Sequence, residues 1–242
     1  MEYGLQMYSV RDLTKTDMRS ALQQVAAMGY SFVEFAGFMG NSAEDVKSWL
    51  DEFGLRVSST HTPLAELEDD KLEETIAYHK AIGCTDIIIP YAKQETKEQI
   101  DALVERVNVL IPRLQAEGIS LHYHNHDCDF VPTAEGMIPE MELLNRTNIL
   151  LEVDTYWTFV AKKDPVAFIT EHKDRIHMIH LKDGMGNREG KSLGQGVAPV
   201  AAVRKAAIEL GFPMVVESEG LDPTGLEEVK RCIDFLREED AK

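Results

Sequence analysis

Short apolar runs alternate with amphipathic stretches from one end of the chain to the other. The runs are Gly4–Ser9, Phe32–Gly37, Val57–Pro63, Asp86–Tyr91, Ser120–His126, Ile149–Trp157, Ile176–Asp183 and Met214–Gly220. They are rich in Val, Ile and Leu and too short for helices, which is how strands buried on both faces read. Between them the apolar positions fall at helical spacing. Val46, Trp49, Leu50 and Phe53 stand at i, i+3, i+4 and i+7 and form one stripe, with Glu44, Lys47 and Asp51 outside it. Ser42 is placed to cap that helix, Asp45 sits where a capping-box acid belongs, and Gly54 can close it in the left-handed conformation. Gly29, Gly83, Gly118 and Gly211 repeat the same stop before a strand, and Leu226, Val229, Ile233 and Leu236 form the stripe of the last helix.

Eight strands alternating with eight helices, at roughly 30 residues per unit, have the size of a βα repeat. Alternation of this kind demands a parallel sheet. The expected fold is therefore α/β, a closed (β/α)8 TIM barrel spanning residues 1–242 as one domain. A doubly wound open sheet is the competing arrangement, but its Gly-rich first βα turn is absent after Gly4–Ser9. No low-complexity linker or composition break marks a boundary.

Charge narrows the partners. The 25 Lys and Arg against 42 Asp and Glu give a formal charge of −17, and no basic cluster exceeds two residues. Nucleic acids and anionic membranes both require a positive surface, so neither is expected. No apolar run approaches the ~18–20 residues of a membrane span, and Met1-Glu2-Tyr3-Gly4 does not open a signal peptide. Cys84, Cys128 and Cys232 are widely spaced without a CxxC pair, which fits a reducing, cytoplasmic setting.

In such a barrel, chemistry belongs at the C-terminal strand ends. The fifth strand ends in His122-Tyr123-His124-Asn125-His126, the sixth in Glu152-Val153-Asp154, the seventh in His180-Leu181-Lys182-Asp183 and the eighth in Glu217-Ser218-Glu219. His124 and Asp154 are 30 residues apart, Asp154 and His180 26, and His180 and Glu217 37, each about one βα unit. Four successive strands thus bring a metal-competent side chain to one rim. Imidazole with carboxylates suits Mn²⁺, Zn²⁺, Co²⁺ or Fe²⁺ better than Ca²⁺. Taken singly, each is more readily a hydrogen-bonded rim residue; four among apolar neighbours are not, because unpaired buried acids are costly. Along the fifth strand a two-residue step advances roughly 6.5–7 Å, so His124 is the expected ligand and His126 the one facing substrate. Asp129 or Glu135 from the following loop is the alternative carboxylate.

Glu34 interrupts the second strand and His61 ends the third; both are candidate substrate ligands. Arg11, His79, His172, the acidic stretch 66–74 and the tail 237–242 read as solvated surface. Gly184–Gly196 is long for a βα loop, usually ~2–6 residues, and suits a lid or substrate binder. Its Arg188 and Lys191 lack any Walker-type spacing for phosphate.

Gly4-Leu5-Gln6-Met7-Tyr8-Ser9-Val10-Arg11-Asp12, Gly29-Tyr30 with Val33-Glu34-Phe35-Ala36-Gly37, and Ser59-Thr60-His61 carry a resemblance, together with Tyr123-His124-Asn125-His126-Asp127, His180-Leu181-Lys182-Asp183, Leu193-Gly194-Gln195-Gly196 and Val215-Val216-Glu217. Across essentially its whole length the chain resembles the sugar phosphate isomerase/epimerase superfamily. These xylose isomerase-like TIM barrels include tagatose 3-epimerase, hydroxypyruvate isomerase and inosose dehydratase. The resemblance implies a divalent cation (Mn²⁺, Mg²⁺, Co²⁺, Zn²⁺ or Fe²⁺) held by Glu, Asp, His and Glu from strands five to eight. Asp154, His180 and Glu217 match the last three, whereas His124 stands at the fifth-strand Glu. That glutamate is one of two opposed bases in the epimerases, and the His-x-His here is similar to the inosose dehydratase-like branch.

Two reactions follow for a small carbohydrate substrate. An isomerase or epimerase would form an enediolate, with Glu217 taking the α-proton, His126 or His124 returning one, and Lys182 and His61 holding hydroxyls. A lyase, of the inosose dehydratase or keto-glycoside β-elimination type, would expel a β-substituent from the same enediolate. Endonuclease IV-like repair enzymes share the barrel, but the net charge opposes DNA binding. A metal-free binding module is a further reading, and association into a homo-oligomer is compatible with all of these.

Overall fold

The computed structural model describes residues 1–242. Eight parallel strands close into a barrel: β1 (Gly4–Gln6), β2 (Phe32–Phe35), β3 (Arg56–His61), β4 (Asp86–Ile89), β5 (Ser120–His124), β6 (Leu150–Asp154), β7 (Ile176–Leu181) and β8 (Met214–Val216). Each pairs with its sequence neighbours, and β8 closes on β1. Register sets the levels inside: His124 lies beside Glu152, and Asp154 beside His180.

Apolar side chains pack in two places. A cluster of 52 buried residues fills the layer between strands and helices. Inside the barrel, Phe32, Ile88, Met178 and Val215 form a separate cluster of four. Three of these precede Glu34, His180 and Glu217 by two residues, so they share a strand face and form the layer beneath them. The barrel interior is thus a largely apolar floor, entered only by the buried His122–Asp86 pair at 2.8 Å, with a polar layer standing on it.

The strands are shorter than the apolar pattern implies. Pairing stops at Gln6, Phe35, Asp154 and Val216, although the runs continue. The extra residues are still buried: Tyr156 and Trp157 belong to the helix Thr155–Val160 that tucks against the barrel mouth. Hydropathy reports burial and does not distinguish a strand from a covered turn. The helical layer also departs from one helix per strand. Two helices follow β1 (Arg11–Thr14, Met18–Met28) and two follow β6 (Thr155–Val160, Pro165–Glu171), making ten. His79 is not solvated as expected. It lies on the buried stripe of helix Leu72–Ile82 with Leu72, Ile76 and Ile82, its ring bound to Thr75 O and Thr60 Oγ1 at 2.6 Å each. His172 is half-buried against Phe168. No helix is long and apolar enough to cross a membrane.

The Gly-rich segment forms a two-stranded hairpin, Asp183–Gly184 with Gly190–Lys191, and then folds back. The buried carboxylate of Asp183 accepts from the backbone N–H groups of Gly184, Gly194, Gly196 and Ala198 at 2.8–3.1 Å. Gly196 has to be glycine for this approach, since a Cβ there would sit 2.2 Å from Asp183 Oδ1. Charge-assisted bonds to a buried carboxylate contribute about 1.5–3 kcal/mol each before coupling. Asp183→Ala should therefore destabilise the chain by about 3 kcal/mol in urea unfolding and speed amide exchange at Gly194, Gly196 and Ala198. Unchanged exchange at those amides would show that the carboxylate does not hold the segment.

Candidate active site

The ends of β5, β6 and β7 and the residue following β8 present His124, Asp154, His180 and Glu217, all buried, with one donor atom of each within 4.8 Å of the others. His180 Nδ1 stands 3.4 Å from Glu217 Oε2 and 4.0 Å from Asp154 Oδ2, and His124 Nε2 stands 3.9 Å from that same oxygen. Most of these gaps are too long for hydrogen bonds, and together they suit donors placed ~2.0–2.2 Å from a shared ion. Asp154 is fixed by the helix that follows it: its Oδ1 accepts from Trp157 N at 2.8 Å and caps the helix Thr155–Val160. Its Oδ2 and His180 Nδ1 are both buried without a hydrogen-bond partner. Orphaned buried groups are costly, and here two converge with a further carboxylate and imidazole. The donor set fits a divalent cation.

The opposite edges of the imidazoles face a deeper layer. Glu152 Oε2 lies 2.7 Å from His61 Nε2, 3.0 Å from His124 Nδ1 and 3.2 Å from His180 Nε2. Glu34 receives His180 Nε2 at 2.7 Å, Gln6 Nε2 at 2.6 Å and Ser59 Oγ at 2.5 Å. His61, His124, Glu152 and His180 also converge within 4.8 Å. Their contacts, however, centre on one oxygen, which accepts from His61 and His124 while the Nε2–H of His180 goes to Glu34. They orient the rings so that the other nitrogens face Asp154 and Glu217.

Lys182 supplies the cluster's own positive charge. Its Nζ is 2.6 Å from Glu219, 2.9 Å from Glu217 and 3.6 Å from Asp154, and it lies 4.6 Å above the Trp157 ring. Burial opposes its charge, yet Glu217, Asp154 and Glu219 hold its pKa above the ordinary lysine range. Burial likewise opposes ionisation of Glu217, but Lys182 and His180 carry it well below the usual carboxylate range. Burial pushes Asp154 up to about 6 against the pull of Lys182. Glu152 is ionised despite its burial, through His180 and His61. His126 is pushed down to about 4 by burial and then by Lys182, so it is neutral at neutral pH.

Above the cluster opens a pocket of ≈400 Å³, with His61, His124, His126 and Glu217 lining it and Tyr8 and Tyr91 at its rim. The residues expected from the sequence are distributed as follows. His124, Asp154, His180 and Glu217 come together, and His126 stands beyond them, its ring 5.1 Å from that of His124. His61 lines the pocket, whereas Glu34 is fully buried beneath His180 and away from the opening. Asp129 is spent on His126 N, Gln94 and Tyr123, and burial pushes it up to about 7. Glu135 is exposed. Neither loop acid belongs to the cluster. Arg11 is half-buried rather than solvated, donating to Tyr8 O and Glu219 O. Arg188 and Lys191 are tied to Asp127 and Glu189.

Sequence reasoning noted Glu152 and Glu219 at their strand ends but gave no role to them, nor to Gln6, Ser59 or Trp157. For Glu152 the signal existed, since it shares a strand face with Asp154 two residues on. Gln6 and Ser59 become legible only once β1, β2 and β3 are placed side by side.

Residues 22–239 match the family model described as xylose isomerase-like TIM barrel. An inosose dehydratase of Geobacillus kaustophilus is 25% identical over 186 residues, covering 67% of this chain and 60% of that protein. Another, from Halalkalibacterium halodurans, is 33% identical over 94 residues, 39% of this chain and 31% of that one. The chain therefore spans less than two thirds of the length of these relatives. Among solved structures, a sugar phosphate isomerase/epimerase from Parabacteroides distasonis superimposes with a TM-score of 0.84 at 28% identity, covering 98% of this chain and 97% of that one. The probable 3-DHS dehydratase of petrobactin synthesis from Bacillus anthracis, at 15% identity and a TM-score of 0.80 over 98% and 99% of the two chains, is alike in fold.

The shared acceptor is open to a direct test. Glu152→Ala leaves the imidazoles of His61 and His124 without their common acceptor and should cost about 3–5 kcal/mol in urea unfolding. Glu152→Gln keeps an acceptor oxygen and should cost clearly less. Equal losses would show that packing, and not acceptance by that oxygen, is what the position supplies.

Proposed function

Because the chain belongs to the xylose isomerase-like TIM barrel family, we propose that it is a divalent-metal-dependent enzyme that moves a proton beside the carbonyl of a small sugar or keto-sugar. The observation that carries this reading is the pair of unpartnered buried atoms, Asp154 Oδ2 and His180 Nδ1, facing Glu217 and His124. A divalent ion held by these four residues would act as a Lewis acid that stabilises the enediolate.

The remaining work falls to the chain itself. Glu217 lines the pocket and is kept ionised by Lys182, so it is the base for the α-proton. His126 comes from the far side of the mouth, since β5 and β8 are three strands apart around the barrel. As a neutral imidazole it can donate to one substrate oxygen and accept from the next, which relays the hydroxyl proton while Glu217 carries the carbon-bound one. Isomerisation then closes without net proton exchange. His61, held by Glu152, flanks the substrate hydroxyls, and the buried Lys182 acts through Glu217 and Glu219.

A lyase outcome is the second reading. It is supported by the imidazole of His124 in the place where the resemblance leads one to expect a second carboxylate base, and by the inosose dehydratases among the relatives. Elimination needs only one such base: Glu217 takes the α-proton and can pass it to the β-oxygen departing on the same face as water or an alcohol.

The pocket also favours an uncharged substrate. Lys182 is neutralised by three carboxylates, Arg11 by backbone carbonyls, and Arg188 and Lys191 by Asp127 and Glu189. A phosphate would meet Glu217 and Glu219 with no free cationic side chain to receive it.

Glu217→Gln should fold normally and lower turnover by about 10²–10⁴-fold; near-native turnover would remove Glu217 from the role of base. In chelator-free protein analysed for metals, His124→Ala should lose the bound ion, whereas His126→Ala should keep it and lose rate. Full metal occupancy in His124→Ala would overturn the ligand assignment. NMR of the product separates the two outcomes, an isomeric sugar from an unsaturated or dehydrated one.

A further inference from the structure

Beside the pocket lies a second cleft of ≈500 Å³, formed by loops at the same mouth of the barrel. It is bounded by residues after β4 (Tyr91, Gln94), residues after β5 (Asp129, Val131, Pro132) and Arg188 of the hairpin. Tyr91 lines both cavities and is 49% exposed, so the two adjoin across its ring. Val131, which also lines the cleft, is 58% exposed. Large apolar side chains left in solvent next to a concave polar site mark a ligand surface, and clefts of ~300–1,000 Å³ suit small molecules.

The floor of this cleft has an unmet need. Gln94 is buried and donates through Nε2 to Tyr123 Oη at 2.7 Å and to Asp129 Oδ1 at 3.0 Å. With Asp129 ionised, this contact directs the amide nitrogen toward it. Gln94 Oε1 is left buried with no donor. A shielded amide oxygen calls for an N–H or O–H, and a ligand hydroxyl would provide one. The cleft's only cation, Arg188, is already paired with Asp127 at 2.8 Å, so nothing here recruits an anion. The chemistry is that of an uncharged ring with an apolar face and a hydroxyl: the face lies on Tyr91 and Pro132, and the hydroxyl reaches Gln94.

We propose that this cleft is a second subsite and that the substrate is a two-ring, uncharged glycoside. The reacting sugar occupies the pocket beneath His126, and the ring that does not react crosses Tyr91 to lie between Pro132 and Gln94. The proposal rests on the reading of the deeper pocket as a sugar site, and it is tested separately from that reading.

Saturation-transfer NMR with phenyl β-glucoside reports contact without turnover. Saturation should reach both the phenyl and the glucose protons in the native chain. Val131→Trp, a substitution at an exposed position outside the catalytic cluster, should fill the cleft, abolish the phenyl signal and weaken binding at least tenfold. Glucose alone should bind the variant and the native chain equally. A phenyl ring that receives no saturation, or whose signal survives Val131→Trp, overturns the subsite, as does a variant that weakens glucose and glucoside alike. Phenyl contact that is lost in Val131→Trp, in a native chain that transforms no keto-sugar or keto-glycoside, supports the subsite and overturns the reaction assigned to its neighbour.

Discussion

A single carboxylate oxygen, Oε2 of Glu152, accepts from His61 and His124 and lies 3.2 Å from His180 Nε2, so imidazoles of three different strands converge on it. The rest of the site depends on this convergence. An imidazole has two nitrogens, and fixing one edge fixes the other. With His124 and His180 committed downward to Glu152 and Glu34, their free nitrogens necessarily face upward, toward Asp154 and Glu217. The lower carboxylates thereby decide the geometry of the upper ones. The barrel's register makes the arrangement possible, because His124 and Glu152 pair directly and so do Asp154 and His180.

This places an unusual load on the barrel interior. Barrels of this kind are ordinarily filled by branched apolar side chains. Here only four apolar residues form the inner floor, and Gln6, Glu34, Ser59 and Glu152 occupy the level above. Buried polar groups are tolerable when each finds a partner. Most groups in the layer do; Asp154 Oδ2, His180 Nδ1 and Glu152 Oε1 in the cluster do not, and neither do His122 Nδ1 and His126 Nδ1 on the fifth strand and just past it. Stability comes chiefly from the 52-residue layer outside the strands, which leaves the interior free to carry chemistry.

Much of this was legible in the sequence. Acids and histidines embedded in Val- and Ile-rich strands stand out because burial makes them expensive, and their spacing of about one βα unit assigns them to successive strands. The eight-strand barrel followed from the same alternation. Other features were hidden for physical reasons. Strand ends blur into buried turns, as at Trp157, because hydropathy reads cover and not hydrogen bonding. His79 looked polar in isolation, although its position on the Leu72–Ile76–Ile82 stripe pointed inward. Arg11 lies past a strand end, and its attachment to Glu219 O joins the first loop to the last, a closure that no linear pattern encodes. The hairpin at Asp183 depends on backbone amides, which all residues share.

Lys182 has a consequence for how the protein comes into being. A pocket that gathers Asp154, Glu217 and Glu219 would repel itself during assembly if it had to wait for an external ion. The buried ammonium, in contact with all three, lets the walls close first. With the metal site proposed above, folding and metal loading would be separate events in time. A newly made chain could reach its compact state in a metal-poor environment and be charged later, and loss of the ion would return it to a folded precursor instead of to an unfolded chain.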